Sequence, residues 1–402
     1  MTLKLTITGS TGSVGQSALA VVEGANIAGQ EPAFEIEALT ANTNVSRLAS
    51  QAITSKARLA VIGDESLYEE LKTALAGSNV EAAAGDKAII EACEKPVDRV
   101  LAAIVGIAGL RSTHAALVAG NSVALANKES MVCAGQLLKD AAATSGASIV
   151  PTDSEHNAMF QVMERRSDIE SLILTASGGP FLDTDLSTLK TVTPEQACAH
   201  PQWQMGRKIS VDSATFMNKA LELIEAAFLF DMPEEQIEVV VHPQSIIHSL
   251  VSYIDGSVLA QLGSPDMQTP IAHALSWPGP RVRTTVRRLN LIEIGQLDFR
   301  AVDHDRFPAI NLARRAVRDG AAAPVVMNAA NEVAVDAFLS GRCRFTDINR
   351  IVENALQQNF SVQTTPSGAL DIDDIIALDE MSRTKCGELI GQGLSQLQGR
   401  AS

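Results

Sequence analysis

The stretch Leu3-Lys-Leu-Thr-Ile-Thr-Gly-Ser-Thr-Gly-Ser-Val-Gly15 decides how the rest of the chain is read. Leu3 to Thr8 is a short β-prone run, and glycines follow it at positions 9, 12 and 15. A helical pattern takes over from Gln16 to Glu23. A strand, a glycine-rich turn and a helix in immediate succession let backbone N–H groups approach a pyrophosphate at the positive end of a helix. Taken alone, the turn also fits a tight corner that binds nothing. Its surroundings favour the first reading. Phe34 to Leu39 alternates like a second strand. Leu59 to Ile62, Val100 to Val105 and Val123 to Ala126 are further apolar strand candidates, with helix-length segments between them. This alternation predicts a parallel sheet covered by helices on both faces, a doubly wound, Rossmann-like α/β domain over residues 1–150.

The pattern changes near residue 150. Ser148 to Val150, Ser171 to Ala176, Glu238 to Val241 and Ile246 to Tyr253 read as strands, and a long amphipathic helix is predicted over Ala214 to Phe230. Residues 151–300 are therefore expected to form an α+β domain, closed by a Pro- and Arg-rich connection that starts at Trp277 to Arg288. Helical signals dominate beyond it: Pro308 to Asp319, Met327 to Leu339, Ile348 to Gln358, and a last helix from near Asp374 to Leu397. Residues 301–402 read as a helical C-terminal domain.

Composition narrows the function. The 402 residues carry 32 Lys and Arg against 47 Asp and Glu, a net charge of −15, with 4% aromatic residues. Neutralising a phosphate backbone takes clustered basic residues, and stacking bases takes aromatic ones, so nucleic acid is not an expected partner. A local basic pocket still suffices for a small anionic substrate. The five cysteines are odd in number and include no CxxC, which indicates neither a zinc site nor a disulfide framework and fits a reducing cytoplasm. The longest apolar run, Val100 to Leu110, is about half the ~20 residues of a membrane span. No signal peptide or transmembrane segment is expected.

Several motifs carry chemistry. The second strand leads into Thr-Ala-Asn-Thr-Asn44, a run without the acidic residue that usually meets the ribose of NAD; NADP is favoured, with Arg47 the nearest base for a 2′-phosphate. Ala126-Asn-Lys-Glu-Ser130 ends a strand, where Lys128 can meet an anionic substrate and Glu129 the cofactor; a solvated loop is the alternative. Asp153 and Glu155 in Pro151-Thr-Asp-Ser-Glu-His-Asn157 would point the same way in an extended chain, and paired carboxylates suit a hard divalent ion such as Mg²⁺ or Mn²⁺. In the predicted helix, Asn218, Lys219 and Glu222 share a face, and Ser213 is expected near its N-terminus, where the dipole favours phosphate. Ser177-Gly-Gly-Pro180 offers a hydroxyl and bare backbone N–H groups. His200, Trp203 and Met205 lie in a Pro/Gly-bounded loop that reads as a lid, or as a plain packing contact for Trp203. His242, His248, Asn328, Asn331 and Glu332 read as structural polar residues.

The segments GSTGSVG, LANKES, PTDSEHNA, ASGGPF, HPQWQMGRKISVDSATFMNKALELIEA, HPQSIIHSLV and GSPDMQTPIAHALSWP occur in this order. Together they resemble the 1-deoxy-D-xylulose 5-phosphate reductoisomerases of the non-mevalonate isoprenoid pathway, over nearly the whole chain and most specifically from His200 to Ala226. The resemblance implies a homodimeric, NADPH-dependent enzyme that needs a divalent metal (Mg²⁺, Mn²⁺ or Co²⁺). Such an enzyme rearranges the carbon skeleton of its phosphorylated sugar substrate and then reduces the resulting aldehyde. It implies Asp153, Glu155 and Glu222 as metal ligands. Ser177, Ser213, Asn218 and Lys219 would hold the phosphate, with His200 contacting it from the loop. Lys128 and Ser154 would touch substrate near the metal, and Trp203 would cover it. Thr11, Gly12, Ser13, Val14, Asn44, Asn127, Glu129 and Gly206 would line the cofactor site. One departure bears on cofactor preference: Thr43 stands where relatives often carry a basic residue. The rival readings are a sugar-phosphate or homoserine-type dehydrogenase without isomerisation, and a nucleotide sensor. The three carboxylates argue against both.

Overall fold

The computed structural model describes residues 2–28, 32–203, 206–358 and 370–392. The chain gathers into two compact units, one from residues 1–130, 138–161 and 266–289, the other from 131–137, 162–265 and 290–402. Among the described residues, the first unit's strands are β1 (Leu3–Thr8), β2 (Phe34–Ala41), β3 (Leu59–Ile62), β4 (Glu81–Ala84), β5 (Arg99–Ala102), β6 (Val123–Leu125) and β7 (Ile149–Pro151). They form one sheet in the order 4-3-2-1-5-6-7, and every neighbouring pair is parallel. This is the expected doubly wound sheet. β4 escaped the sequence reading because Glu-Ala-Ala-Ala carries no β-branched or aromatic signal. The helices between strands are α1 (Ser13–Ala28), α2 (Val45–Ser55), α3 (Tyr68–Ala74), α4 (Asp86–Glu94), α5 (Leu110–Val118), α6 (Lys128–Ser145) and α7 (Ser154–Val162). Leu5, Ile7, Leu39, Ile62 and Leu101 are wholly buried in the sheet's core. Strand order reverses between β1 and β5, so the glycine turn after β1 opens at the switch point where such sheets bind ligands.

The second unit is built on β8 (Ile169–Ala176), followed by α8 (Pro194–Ala197), α9 (Arg207–Ala214) and α10 (Met217–Phe230), then β9 (Ile237–Val241), β10 (Ile247–Tyr253) and β11 (Val258–Leu262). The chain then returns to the first unit as α11 (Gln268–Ser276), a helix inside the segment 266–289. The second unit resumes with α12 (Leu291–Ile294), β12 (Arg300–Ala301), α13 (Ala309–Asp319), α14 (Ala322–Leu339), α15 (Asp347–Leu356) and α16 (Ile372–Gly391). Its sheet is mixed, ordered 11-10-8-9-12, with β8 and β9 parallel and the other pairs antiparallel. The helical C-terminal region forms as expected; the end of the last predicted helix, beyond residue 392, lies outside the described residues. No helix among the described residues is long and apolar enough to cross a membrane.

The single helix expected over Ala214 to Phe230 is instead the end of α9, a break, and α10. Phe216 sits in the left-handed region at φ 62°, which costs a non-glycine residue about 1 kcal/mol or more. The ring is buried and stacked on Phe307 with centroids 3.8 Å apart, which offsets that cost. No glycine or proline occurs between Arg207 and Phe230 to announce the break.

Candidate active site

The first unit supplies a nucleotide cradle. Gly9 has φ +66°, and a Cβ there would lie 2.5 Å from the Ala103 carbonyl oxygen. At Gly15 a Cβ would meet the Gly9 oxygen and the Ser10 Cα, each at 2.5 Å. The turn is therefore drawn tight against both β5 and its own helix; the Gly12 N–H donates to Gly9 O at 3.0 Å, and Ser13 and Val14 open α1, where first-turn N–H groups have no partner within the helix. Ser10 ties the turn to its neighbours, its N–H donating to Thr40 O at 2.8 Å and its hydroxyl to Gln51 Oε1 at 2.9 Å. Asn44 caps α2, accepting from Arg47 N at 3.1 Å. The Arg47 guanidinium reaches back to Thr11 O at 3.4 Å, which sets a cation beside the turn. These residues fit an anionic dinucleotide.

Asn127, Lys128 and Glu129 are buried, which removes the solvated-loop alternative. Asn127 caps α6 by accepting from Ser130 N at 2.7 Å and donates to the Gly106 carbonyl at 2.8 Å. Lys128 forms an ion pair with Asp153 in which both side chains are largely hidden from solvent. The segment 152–155 is not the extended chain the sequence reading assumed. Asp153 stands just before α7, with its Oδ1 accepting from Ser154 N at 3.0 Å, and Glu155 lies in the helix's first turn. A strand-to-helix joint aims both carboxylates, and one oxygen of each comes within 4.8 Å of the other. The Ser154 hydroxyl donates to Glu155 Oε2 at 2.5 Å. Two carboxylates this close are stable together when a cation or a proton is shared, which suits an oxygen-ligated divalent ion.

The second unit gathers the remaining residues. Gly178 and Gly179 have φ of 89° and 66°, and a Cβ on Gly179 would sit 3.0 Å from the Ser213 carbonyl oxygen. The Ser177-Gly-Gly turn is thereby pressed against Ser213. Ser213 itself lies in the last turn of α9, not at a helix N-terminus, so the dipole argument made for it from sequence fails. Its place beside the diglycine turn holds it in the cluster instead. His200 Nε2 is 2.9 Å from Ser177 Oγ, while its Nδ1 accepts from Gln202 N at 3.1 Å and Trp203 N at 3.0 Å. An Nδ1 that accepts twice leaves the proton on Nε2, and burial holds the imidazole below its usual range. His200 is thus a neutral donor aimed at the serine.

On α10, Asn218 and Lys219 both hydrogen-bond the Glu222 carboxylate, as the shared face predicted. Lys219 and Glu222 are almost wholly buried, where each ion needs the other. Trp203 is half-buried beside His248, ring centroids 6.2 Å apart. His248, a structural polar residue by the sequence reading, is buried here, and burial pushes its pKa down to about 4. Gly206 caps α9, and Met205 lies outside the described residues. Asn331 donates to buried Asp212 at 2.8 Å.

Comparison with known proteins identifies the family. Residues 5–135 match the family model for 1-deoxy-D-xylulose 5-phosphate reductoisomerase, and residues 149–230 and 262–385 match models of C-terminal domains of the same enzyme. A 1-deoxy-D-xylulose 5-phosphate reductoisomerase of Zymomonas mobilis is 50% identical over 96% of this chain and 97% of its own length. The Zymomonas mobilis enzyme in complex with NADPH superposes with a TM-score of 0.89 at 49% identity, covering 97% of this chain and 99% of that one. A reductoisomerase in complex with NADPH, fosmidomycin and magnesium gives a TM-score of 0.91 at 42% identity, covering 97% and 98%. Identity at this level across nearly the full length, together with the three matching family models, makes the chain a member of the 1-deoxy-D-xylulose 5-phosphate reductoisomerase family.

Proposed function

We propose that the chain catalyses the NADPH- and divalent-metal-dependent rearrangement and reduction of 1-deoxy-D-xylulose 5-phosphate to 2-C-methyl-D-erythritol 4-phosphate, a step toward isoprenoid precursors. The observation that carries this reading is the 50% identity to the Zymomonas mobilis reductoisomerase over 96% of the chain. Asp153, Glu155 and Glu222 are the proposed metal ligands. Ser177, Ser213, Asn218, Lys219 and His200 take the phosphate end of the substrate. Lys128 and Ser154 contact the substrate near the metal. Thr11, Gly12, Ser13, Val14, Asn44, Asn127, Glu129 and Gly206 take the cofactor. Residues 1–150 are assigned to cofactor binding, 151–300 to catalysis and 301–402 to helical support. The working assembly is a cytoplasmic homodimer.

Each group has a physical task. The ion, when bound, polarises the hydroxy-ketone oxygens and stabilises charge on them. NADPH supplies the hydride. The neutral Nε2–H of His200 and the serine hydroxyls donate to phosphate oxygens, and Lys219 adds a buried positive charge. Binding energy spent on the phosphate, remote from the reacting carbons, orients those carbons. Trp203 closes over the substrate and keeps water from the rearranged aldehyde. Hydride transfer alone requires neither the carboxylate set nor the phosphate set, which disfavours a dehydrogenase without isomerisation.

The test is NADPH oxidation on adding 1-deoxy-D-xylulose 5-phosphate with Mg²⁺, repeated with a chelator. Metal-dependent oxidation yielding the methylerythritol phosphate is expected, and Glu222→Gln is expected to abolish it while NADPH binding persists. A folded protein that binds NADPH but oxidises none with this substrate would refute the reading.

A further inference from the structure

The return segment 266–289 brings a helix back to the first unit from more than a hundred residues away, and the chemistry described so far does not use it. α11 packs on α1, β6 and β7, and its His273 faces α7. There, Asn157 is wholly buried one turn after Asp153. Its Nδ2 donates to the Pro151 carbonyl at 2.8 Å and lies 3.0 Å from His273 Nδ1. Its Oδ1 accepts from Gln161 Nε2 at 2.6 Å, and Gln161 Oε1 in turn accepts from Arg281 Nη2 at 2.8 Å. The directions are mutually fixed. An amide nitrogen carries two hydrogens and no acceptor, so His273 Nδ1 must present its lone pair. Burial first, and the neighbouring Arg281 second, push this imidazole down to about 4, so the lone pair is kept throughout the neutral range.

We propose that Asn157 and His273 are positioning residues that hold the joint between β7 and α7 in the geometry that makes Asp153 and Glu155 metal ligands. The Pro151 carbonyl that Asn157 grips lies two residues before Asp153, and Glu155 lies two residues before Asn157. His273 is itself fixed. Its ring meets Phe160 edge-on at 6.1 Å, Phe160 meets Trp277 at 5.4 Å, and the buried Arg99 guanidinium donates to the Trp277 carbonyl at the end of α11. A cation at a helix C-terminus is favoured by the helix dipole. The joint is thus braced by a distant helix through one acceptor atom. The strand end alone does not fix the amide that grips it.

This inference rests on the assignment of Asp153 and Glu155 to the metal, so its test separates the two. Mn²⁺ alone is titrated into the full-length protein and free ion is read by electron paramagnetic resonance, with NADPH affinity and melting temperature measured in parallel. His273→Leu keeps bulk but removes the acceptor, and is expected to weaken Mn²⁺ binding about 10- to 100-fold with NADPH affinity unchanged. His273→Asn places an amide oxygen near the Nδ1 position and is expected to recover most of the loss. Gln161→Met, at the half-buried end of the same network, is expected to weaken Mn²⁺ binding less, in the same direction, and decides the matter if His273→Leu does not fold. Asp153→Asn is the control. If it abolishes Mn²⁺ binding while the folded His273 and Gln161 variants bind normally, the positioning role is overturned. The same holds if Mn²⁺ and NADPH affinities fall together, or if His273→Asn is no better than His273→Leu. If Asp153→Asn itself leaves Mn²⁺ binding unchanged, the metal assignment fails instead.

Discussion

Gly15→Ala isolates the nucleotide cradle from everything else in the molecule. Gly15 is in the first turn of α1, where replacing glycine by alanine normally stabilises a helix by about 1 kcal/mol. Against that gain stands the added methyl carbon, which would lie 2.5 Å from Gly9 O and Ser10 Cα and 2.6 Å from Ser10 O. All three are backbone atoms, so no side chain can swing aside, and turn and helix must part by roughly 0.9 Å to reach ordinary contact. Overpacking of this kind costs about 1–3 kcal/mol, which exceeds the propensity gain. Gly24 in the same helix is the internal control, because a Cβ there meets nothing within 4 Å. Gly24→Ala should therefore raise the melting temperature by roughly 2–4 °C and leave NADPH binding alone, while Gly15→Ala should lower it. A turn displaced by about 1 Å no longer presents its N–H groups to the pyrophosphate, and NADPH affinity should fall by about 100-fold. Calorimetric titration with NADPH and a thermal melt on the three proteins suffice. Equal NADPH affinity in parent and Gly15→Ala would show that the turn is not closed against α1 and would remove the cradle argument.

Other perturbations test the remaining parts. Trp203→Ala should cut turnover by about tenfold or more while the melting temperature moves by less than about 3 °C, read by steady-state assay and thermal melt; normal kinetics with a large melting shift would make Trp203 a packing residue. Arg47→Ala should raise the NADPH Michaelis constant about tenfold and leave that for NADH unchanged, since only the former carries a 2′-phosphate for the guanidinium beside Thr11. Equal effects on both cofactors would return the 2′-phosphate to other residues. His248 should contribute to acid lability. An unfolded imidazole titrates near 6.5 and the buried one at about 4, so between these values the unfolded chain binds the extra proton and stability falls as pH falls. The full loss from this group is about 3 kcal/mol, and His248→Gln should flatten the denaturant midpoint between pH ~6.5 and ~4; an unchanged slope would refute the burial argument.

What could be read from the sequence was local chemistry in continuous segments. β1, the glycine turn and the apolar strands Leu59–Ile62 and Val123–Leu125 announce themselves because a strand buried on both faces is a short run of Val, Leu and Ile between breaks. The face shared by Asn218, Lys219 and Glu222 was legible because helical periodicity fixes neighbours three and four residues apart. Among the features that were not legible, two depend on distant contacts. The break between α9 and α10 is made by Phe216, whose left-handed backbone is tolerated because its ring finds Phe307, ninety-one residues on, and no local propensity encodes that contact. The bracing of the carboxylate joint depends on His273, which in sequence is one polar residue in the apolar stretch Pro-Ile-Ala-His-Ala-Leu. Its role exists only once α11 lies against α7 and Asn157 offers it a hydrogen. The two failures share a cause. Each residue adopts a state that is costly by itself, a strained φ in one case and a buried neutral imidazole in the other, and each state is made favourable by a partner distant in the chain. Local rules break where tertiary contacts override them, and here both breaks fall within a few residues of the carboxylates assigned to the metal or of the atoms that hold them.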